Sequence, residues 1–154
     1  MCILLIFLLI AAAGYFKPIQ IGDLINSYTD GVLPDRIICH VYISGLSYKE
    51  LEVTGGDSIK QMVALLENMK VKRLLNAPDS WRPESKNTYR LYFRNGSNEI
   101  QTINILNGRY IDINNNIYKI TGKPDISKLY EIIILDQPKG EMDDFYYDLI
   151  DKDK

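Results

Sequence analysis

Along residues 88–120 apolar and polar positions alternate with a period of two, so that Tyr89, Leu91 and Phe93 fall on one side of a strand and Arg90, Tyr92 and Arg94 on the other. Asn95-Gly96 and Asn107-Gly108 interrupt the pattern with residues that tolerate positive φ. They predict tight hairpins of the primed type, and hence an antiparallel meander. Residues 36–44, RIICHVYIS, alternate in the same way and predict a further strand, entered after Pro34-Asp35 and ended by Gly45, with 51–54 as a short partner. From Ile59 the period changes. Ile59, Met62, Val63, Leu66 and Met69 recur three and four apart, an amphipathic helical stripe wide enough to cover a sheet. Ser58 with Gln61 fits a capping box, and Asp57 competes as the cap. Ile126, Leu129, Tyr130 and Ile133 resume helical spacing, although Ile132-Ile133-Ile134 is β-branched and suits a buried strand as well. The fold class that follows is α+β: an antiparallel β-meander sheet packed against one main helix, with a second, C-terminal helix.

The flanking segments differ from this core. Residues 1–16 carry no charged side chain and are apolar on all faces. As a helix at about 1.5 Å per residue they would reach about 24 Å, short of the roughly 30 Å hydrocarbon core. A signal sequence or short membrane anchor is therefore expected, with Ala11-Ala12-Ala13 offering small residues for a peptidase. Residues 17–34 mix turn formers with short apolar pairs and read as a tether that has room for one helical turn. The α+β domain is placed at 35–135. Residues 136–154 read as an acidic tail, with Phe145, Tyr146 and Tyr147 among its carboxylates. Within the domain, 71–75 lead into a polar loop over 76–87 that holds Pro78, Pro83 and the only tryptophan, Trp81.

Composition narrows the function classes. A chain of 154 residues suits one domain with appendages, and a net charge of -2 gives no basic excess for nucleic acid. With one histidine and two cysteines the common zinc sites are excluded. Cys39 alternates with Ile37, Val41 and Ile43 and is expected to be a small buried hydrophobe, while the adjacent His40 points to the opposite face. Asp112-Ile113-Asn114-Asn115-Asn116 imitates the start of a calcium loop, but Ile117 stands where glycine is wanted and Lys123 where glutamate is wanted. A hairpin turn is the better reading. Neither a phosphate-cradling glycine loop nor a Gly-x-Ser-x-Gly elbow occurs. No catalytic residue, metal site or cofactor is assigned, and an enzyme is the less favoured class.

Two groups of residues suit ligand contact. Arg90, Tyr92 and Arg94 share the solvent face of one strand, cations flanking an aromatic, which suits an anionic envelope polymer or an acidic envelope protein. The rival reading pairs them with carboxylates on neighbouring strands, such as Glu99 or Asp112. Trp81 and Arg82 form the second group, with burial of Trp81 against the sheet edge as the alternative.

The order of parts resembles a known family. The apolar leader, the strand entered after Leu33-Pro34, the helix from Asp57-Ser58-Ile59, the connection from Lys72-Arg73 to Pro78, the strand from Tyr89 to Phe93, and the hairpin ending Asn116-Ile117-Tyr118-Lys119-Ile120 before Leu129-Tyr130 carry the likeness. They resemble a domain-of-unknown-function family of small exported or membrane-tethered proteins of Gram-positive bacteria, often described as lipoproteins. The resemblance spans roughly 35–134 and implies an α+β domain outside the cytoplasm, with no known catalytic residues. Cys2 precedes the apolar run, whereas a lipid-acceptor cysteine would follow it. The expected function is an extracytoplasmic binding or interaction module at the cell envelope, touching the membrane through its N-terminal segment. The alternative is a secreted hydrolase or a protein inhibitor of an envelope enzyme, which should show a deep pocket.

Overall fold

The computed structural model describes Gly14 and residues 17–29, 31–44, 47–76 and 88–138. The expected leader, the loop residues Trp81 and Arg82, and the tail beyond residue 138 lie outside these described residues. In chain order the elements are β1 (Ile19–Gln20), α1 (Ile21–Thr29), β2 (Arg36–Ser44), β3 (Ser47–Val53), α2 (Gly56–Glu67) and β4 (Lys70–Arg73). There follow β5 (Tyr89–Asn95), β6 (Asn98–Leu106), β7 (Tyr110–Ile113), β8 (Asn116–Thr121) and α3 (Ser127–Leu135). The strands form one antiparallel sheet of eight in the order β1-β4-β8-β7-β6-β5-β2-β3. The fold is thus α+β, with the meander β5 to β8 at its centre.

Turn chemistry sets the meander. Asn107 and Gly108 have φ of 52° and 60°, and Asn114 and Asn115 have 51° and 62°, the two consecutive positive values that a type I′ turn requires. The calcium-like stretch is therefore a hairpin turn. The β5–β6 hairpin turns at Gly96, φ 58°, and a bulge leaves Ile100 without a partner between the pairs Phe93–Gln101 and Arg94–Glu99.

Alternation then decides what is buried. Ile37, Cys39, Leu91, Phe93, Ile103, Ile105 and Ile111 are fully buried on one face of the sheet. The helices form a layer on this face, α2 touching both α1 and α3, with α1 against β6 and α3 against β3. Ile59, Met62, Val63 and Leu66 of α2, with Met69 beyond it, enter the core as their spacing predicts. The C-terminal segment is the helix α3, which buries Leu129 and Ile133, and the strand alternative for its isoleucines falls.

Three expectations are corrected. Residues 17–34 are more than a tether: Ile19 and Gln20 pair with Val71 and Lys70, and Ile21 and Ile25 of the nine-residue α1 lie in the core. Residues 70–73 form a strand where a connection was expected, because pairing with β8 outweighs a sequence with one apolar residue in four. The third concerns the α2 cap. The helix begins at Gly56, and Gly55 at the N-cap position makes no side-chain cap bond, so the box from Ser58 to Gln61 does not form.

The cap comes instead from Asp136, just past α3 and assigned to the tail by sequence. Its Oδ2 accepts from Thr54 N at 2.8 Å and Gly55 N at 3.1 Å. Burial alone would raise its pKa, but hydrogen bonds from Ser58, Gly55 and Thr54 outweigh that and lower it. Beside it, Gln137 Nε2 donates to Glu52 O at 3.0 Å. These two residues cover the C-terminal end of the edge strand β3, while the opposite edge strand β1 has only two residues.

Candidate functional site

The other sheet face is packed on by none of the described helices, and it gathers the polar half of every alternating strand. Register places Glu50, His40, Arg90, Asn104 and Asp112 in one line across β3, β2, β5, β6 and β7. His40 Nε2 donates to Glu50 Oε2 at 2.9 Å, since an ionised carboxylate can only accept. Arg90 Nε donates to Asn104 Oδ1 at 2.7 Å, and Asn104 Nδ2 donates to Asp112 Oδ2 at 3.2 Å. A hydrogen bond to Tyr92 raises the pKa of Arg90, against the opposing effect of burial, so the guanidinium stays charged.

Aromatic rings surround the middle of this line. The His40 ring stacks on Tyr48 with centroids 4.2 Å apart and meets the edge of Tyr92 at 5.0 Å. Tyr42 completes the group, 5.6 Å from Tyr48. These rings come from three strands, and packing leaves His40 with a side chain only 12% exposed. Next to them lies a cavity of about 200 Å³ lined by Tyr42, Arg90, Asn104, Leu106 and Asp112, with Thr88 and Tyr89 at its wall. A second, shallower depression of about 310 Å³ shares Asn104 and Asp112 and continues towards Glu99, Thr102, Asn114 and Asn115.

The expected contact residues separate. Arg90, Tyr92 and Arg94 do share this face, with Arg90 exposed and the other two half-buried. Arg94 lies 4.0 Å from Glu99, and Arg90 is linked through Asn104 to Asp112, the cross-strand arrangement of the rival reading. Arg36 likewise pairs with Glu52 at 3.3 Å and donates to Gly96 O at 2.8 Å. Arg36, Arg90 and Arg94 thus each have a nearby acid, whereas Lys70, Lys72 and Lys119 gather on the same face at its β4–β8 end. Trp81 and Arg82 fall outside the described residues.

Sequence reasoning missed His40, Tyr42, Tyr48 and Asn104 as members of the site. Alternation in β2, β3 and β6 gives their facing, but only the β2–β5 pairing brings His40 to Arg90, as the β5–β6 pairing brings Asn104. Cys39 is fully buried on the helix face, and burial, reinforced by the charge of Asp136, pushes its thiol far above the ordinary range. It faces away from His40, so the two cannot act as a nucleophile and its base. Among the described residues no cluster of acidic, histidine and cysteine side chains could hold a metal ion, and no helix is long and apolar enough to cross a membrane. No protein-family model matches the chain, and neither curated proteins nor solved structures give a match.

Proposed function

We propose that the protein is a binding or interaction module of the cell envelope, working outside the cytoplasm, and that the helix-free sheet face meets its partner. The observation that carries this reading is the cluster of Tyr42, Tyr48, Tyr92 and His40 near Arg90, beside a cavity, on a face that none of the described helices covers. Half-buried Tyr42 and Tyr92 and exposed Tyr48 beside an arginine are the composition of contact centres. The export half of the proposal rests on the apolar run at 1–16. The partner is an envelope protein or polymer.

The test is the double variant Arg90→Ala with Arg94→Ala, measured for melting temperature and for retention of components from an envelope extract. Both side chains project from the face of β5 opposite the core, so the fold should survive, and retention should fall relative to wild type. An unchanged melt with every component still retained would remove the face as the site.

A further inference from the structure

The geometry points to a neutral carbohydrate as the ligand of this face, one sugar ring seated in the cavity beside Tyr42 and the next running over Asn104 and Asp112. This rests on the reading of the helix-free face as the binding surface.

Charge makes the first selection. Arg90 in the cavity lining disfavours a cation, and Asp112, linked to it through Asn104, disfavours an anion. The neighbouring arginines Arg36 and Arg94 are drawn to Glu52 and Glu99, and the lysines of this face, Lys70, Lys72 and Lys119, lie at its β4–β8 end outside the cavity lining. A neutral ligand remains, and it must be rich in groups that both donate and accept. Asp112 Oδ2 accepts from Asn104 and, on the cavity lining, can accept again from a sugar hydroxyl whose own oxygen accepts from Arg90 or Asn104.

Shape makes the second selection. A cavity of about 200 Å³ lies below the roughly 300–1,000 Å³ typical of drug-sized ligands and suits a single small ring. Tyr42 and Leu106 in its lining offer apolar contact for the ring's C–H face, and Arg90, Asn104 and Asp112 offer polar partners for its hydroxyls. The adjoining depression shares Asn104 and Asp112, so a chain can continue without leaving the face.

The test titrates the isotope-labelled full chain, in a detergent without a sugar headgroup, and follows its amide resonances. The probes are maltotriose, cellotriose and triacetylchitotriose, with trigalacturonate and glycylglycine as anionic and zwitterionic comparators. At least one neutral trisaccharide should give saturable shifts at Arg90, Asn104 and Asp112. Asp112→Asn, which conserves shape, and Tyr42→Ala should each weaken it about tenfold, as expected for loss of one charge-assisted hydrogen bond or one ring contact. Lys60→Ala, on α2, should change nothing. Saturation at these residues by trigalacturonate or glycylglycine alone would overturn the neutral-sugar inference while leaving the face as the binding surface. Neutral-sugar shifts that map to the helices, or that ignore both Asp112→Asn and Tyr42→Ala, would overturn both. No response to any neutral trisaccharide would overturn the inference alone.

Discussion

Asp136 caps a helix whose N-cap residue, Gly55, lies 81 residues earlier in the chain, and the strength of that link can be worked out from its contacts. Replacing Asp136 by alanine removes the acceptor for two backbone N–H groups and for the Ser58 hydroxyl. Thr54 is exposed and its N–H is readily rehydrated, whereas Gly55 is half-buried. Loss of a capping side chain costs about 0.5–2 kcal/mol, and an ionised acceptor belongs at the upper end. The expected loss is about 1.5–2 kcal/mol, or roughly 6–8 °C in melting temperature for a domain of this size. Gly55→Ala supplies the independent check. Its backbone, φ -64° and ψ 118°, suits alanine, but a Cβ there would lie 2.2 Å from Asp136 Oδ1. The variant therefore acts by expelling the carboxylate, and the double variant should be about as unstable as either single one. The effect of pH follows from the lowered pKa of Asp136. Its stabilisation is complete above the unfolded carboxylate pKa of about 3.9 and is lost as pH falls through the lower folded value. Urea melts at pH 7 should separate wild type from Asp136→Ala fully, and the gap should close in strong acid. A gap under about 0.5 kcal/mol at pH 7, or additive Gly55 and Asp136 effects, would refute the cap.

Three further outcomes are expected. Leu66→Asp should abolish the cooperative thermal melt, because an unpaired carboxylate would enter a fully buried position at a cost on the order of several kcal/mol; a melt near that of wild type would refute it. In a Cys2→Ser background, Cys39 should resist a thiol reagent in the native state and react on unfolding, and rapid native labelling would contradict its burial. A tagged chain should fractionate with the envelope or the medium, and recovery of the full-length chain in the cytoplasm would contradict export.

The parts legible in the sequence are those fixed by short-range physics. Asn107-Gly108 and Asn114-Asn115 force their turns through φ, and the alternation around Leu91 and the spacing around Leu66 fix which face is buried. β4 was hidden because Lys70, Lys72 and Arg73 leave Val71 as its only apolar residue, and pairing with β8 defines it. The helix α1 did leave a signal, Ile21, Leu24 and Ile25 at helical spacing, which the turn formers beside them obscured. The cap by Asp136 has no local signature at all. The site divides the same way: alternation aligns Arg90, Tyr92 and Arg94, whereas the meeting of His40 and Arg90 depends on β2 lying beside β5. That strand order is a tertiary outcome.

The claim that the helix-free face is the contact surface is tested most directly by site-specific photo-crosslinking in cells. A photoreactive residue at Tyr48 or Tyr92, on the face, is compared with one at Lys60 or Glu131, on the helices. The account predicts adducts with envelope components from the two face positions and none from the helical pair. Adducts formed equally well, or only, from Lys60 and Glu131 would contradict it.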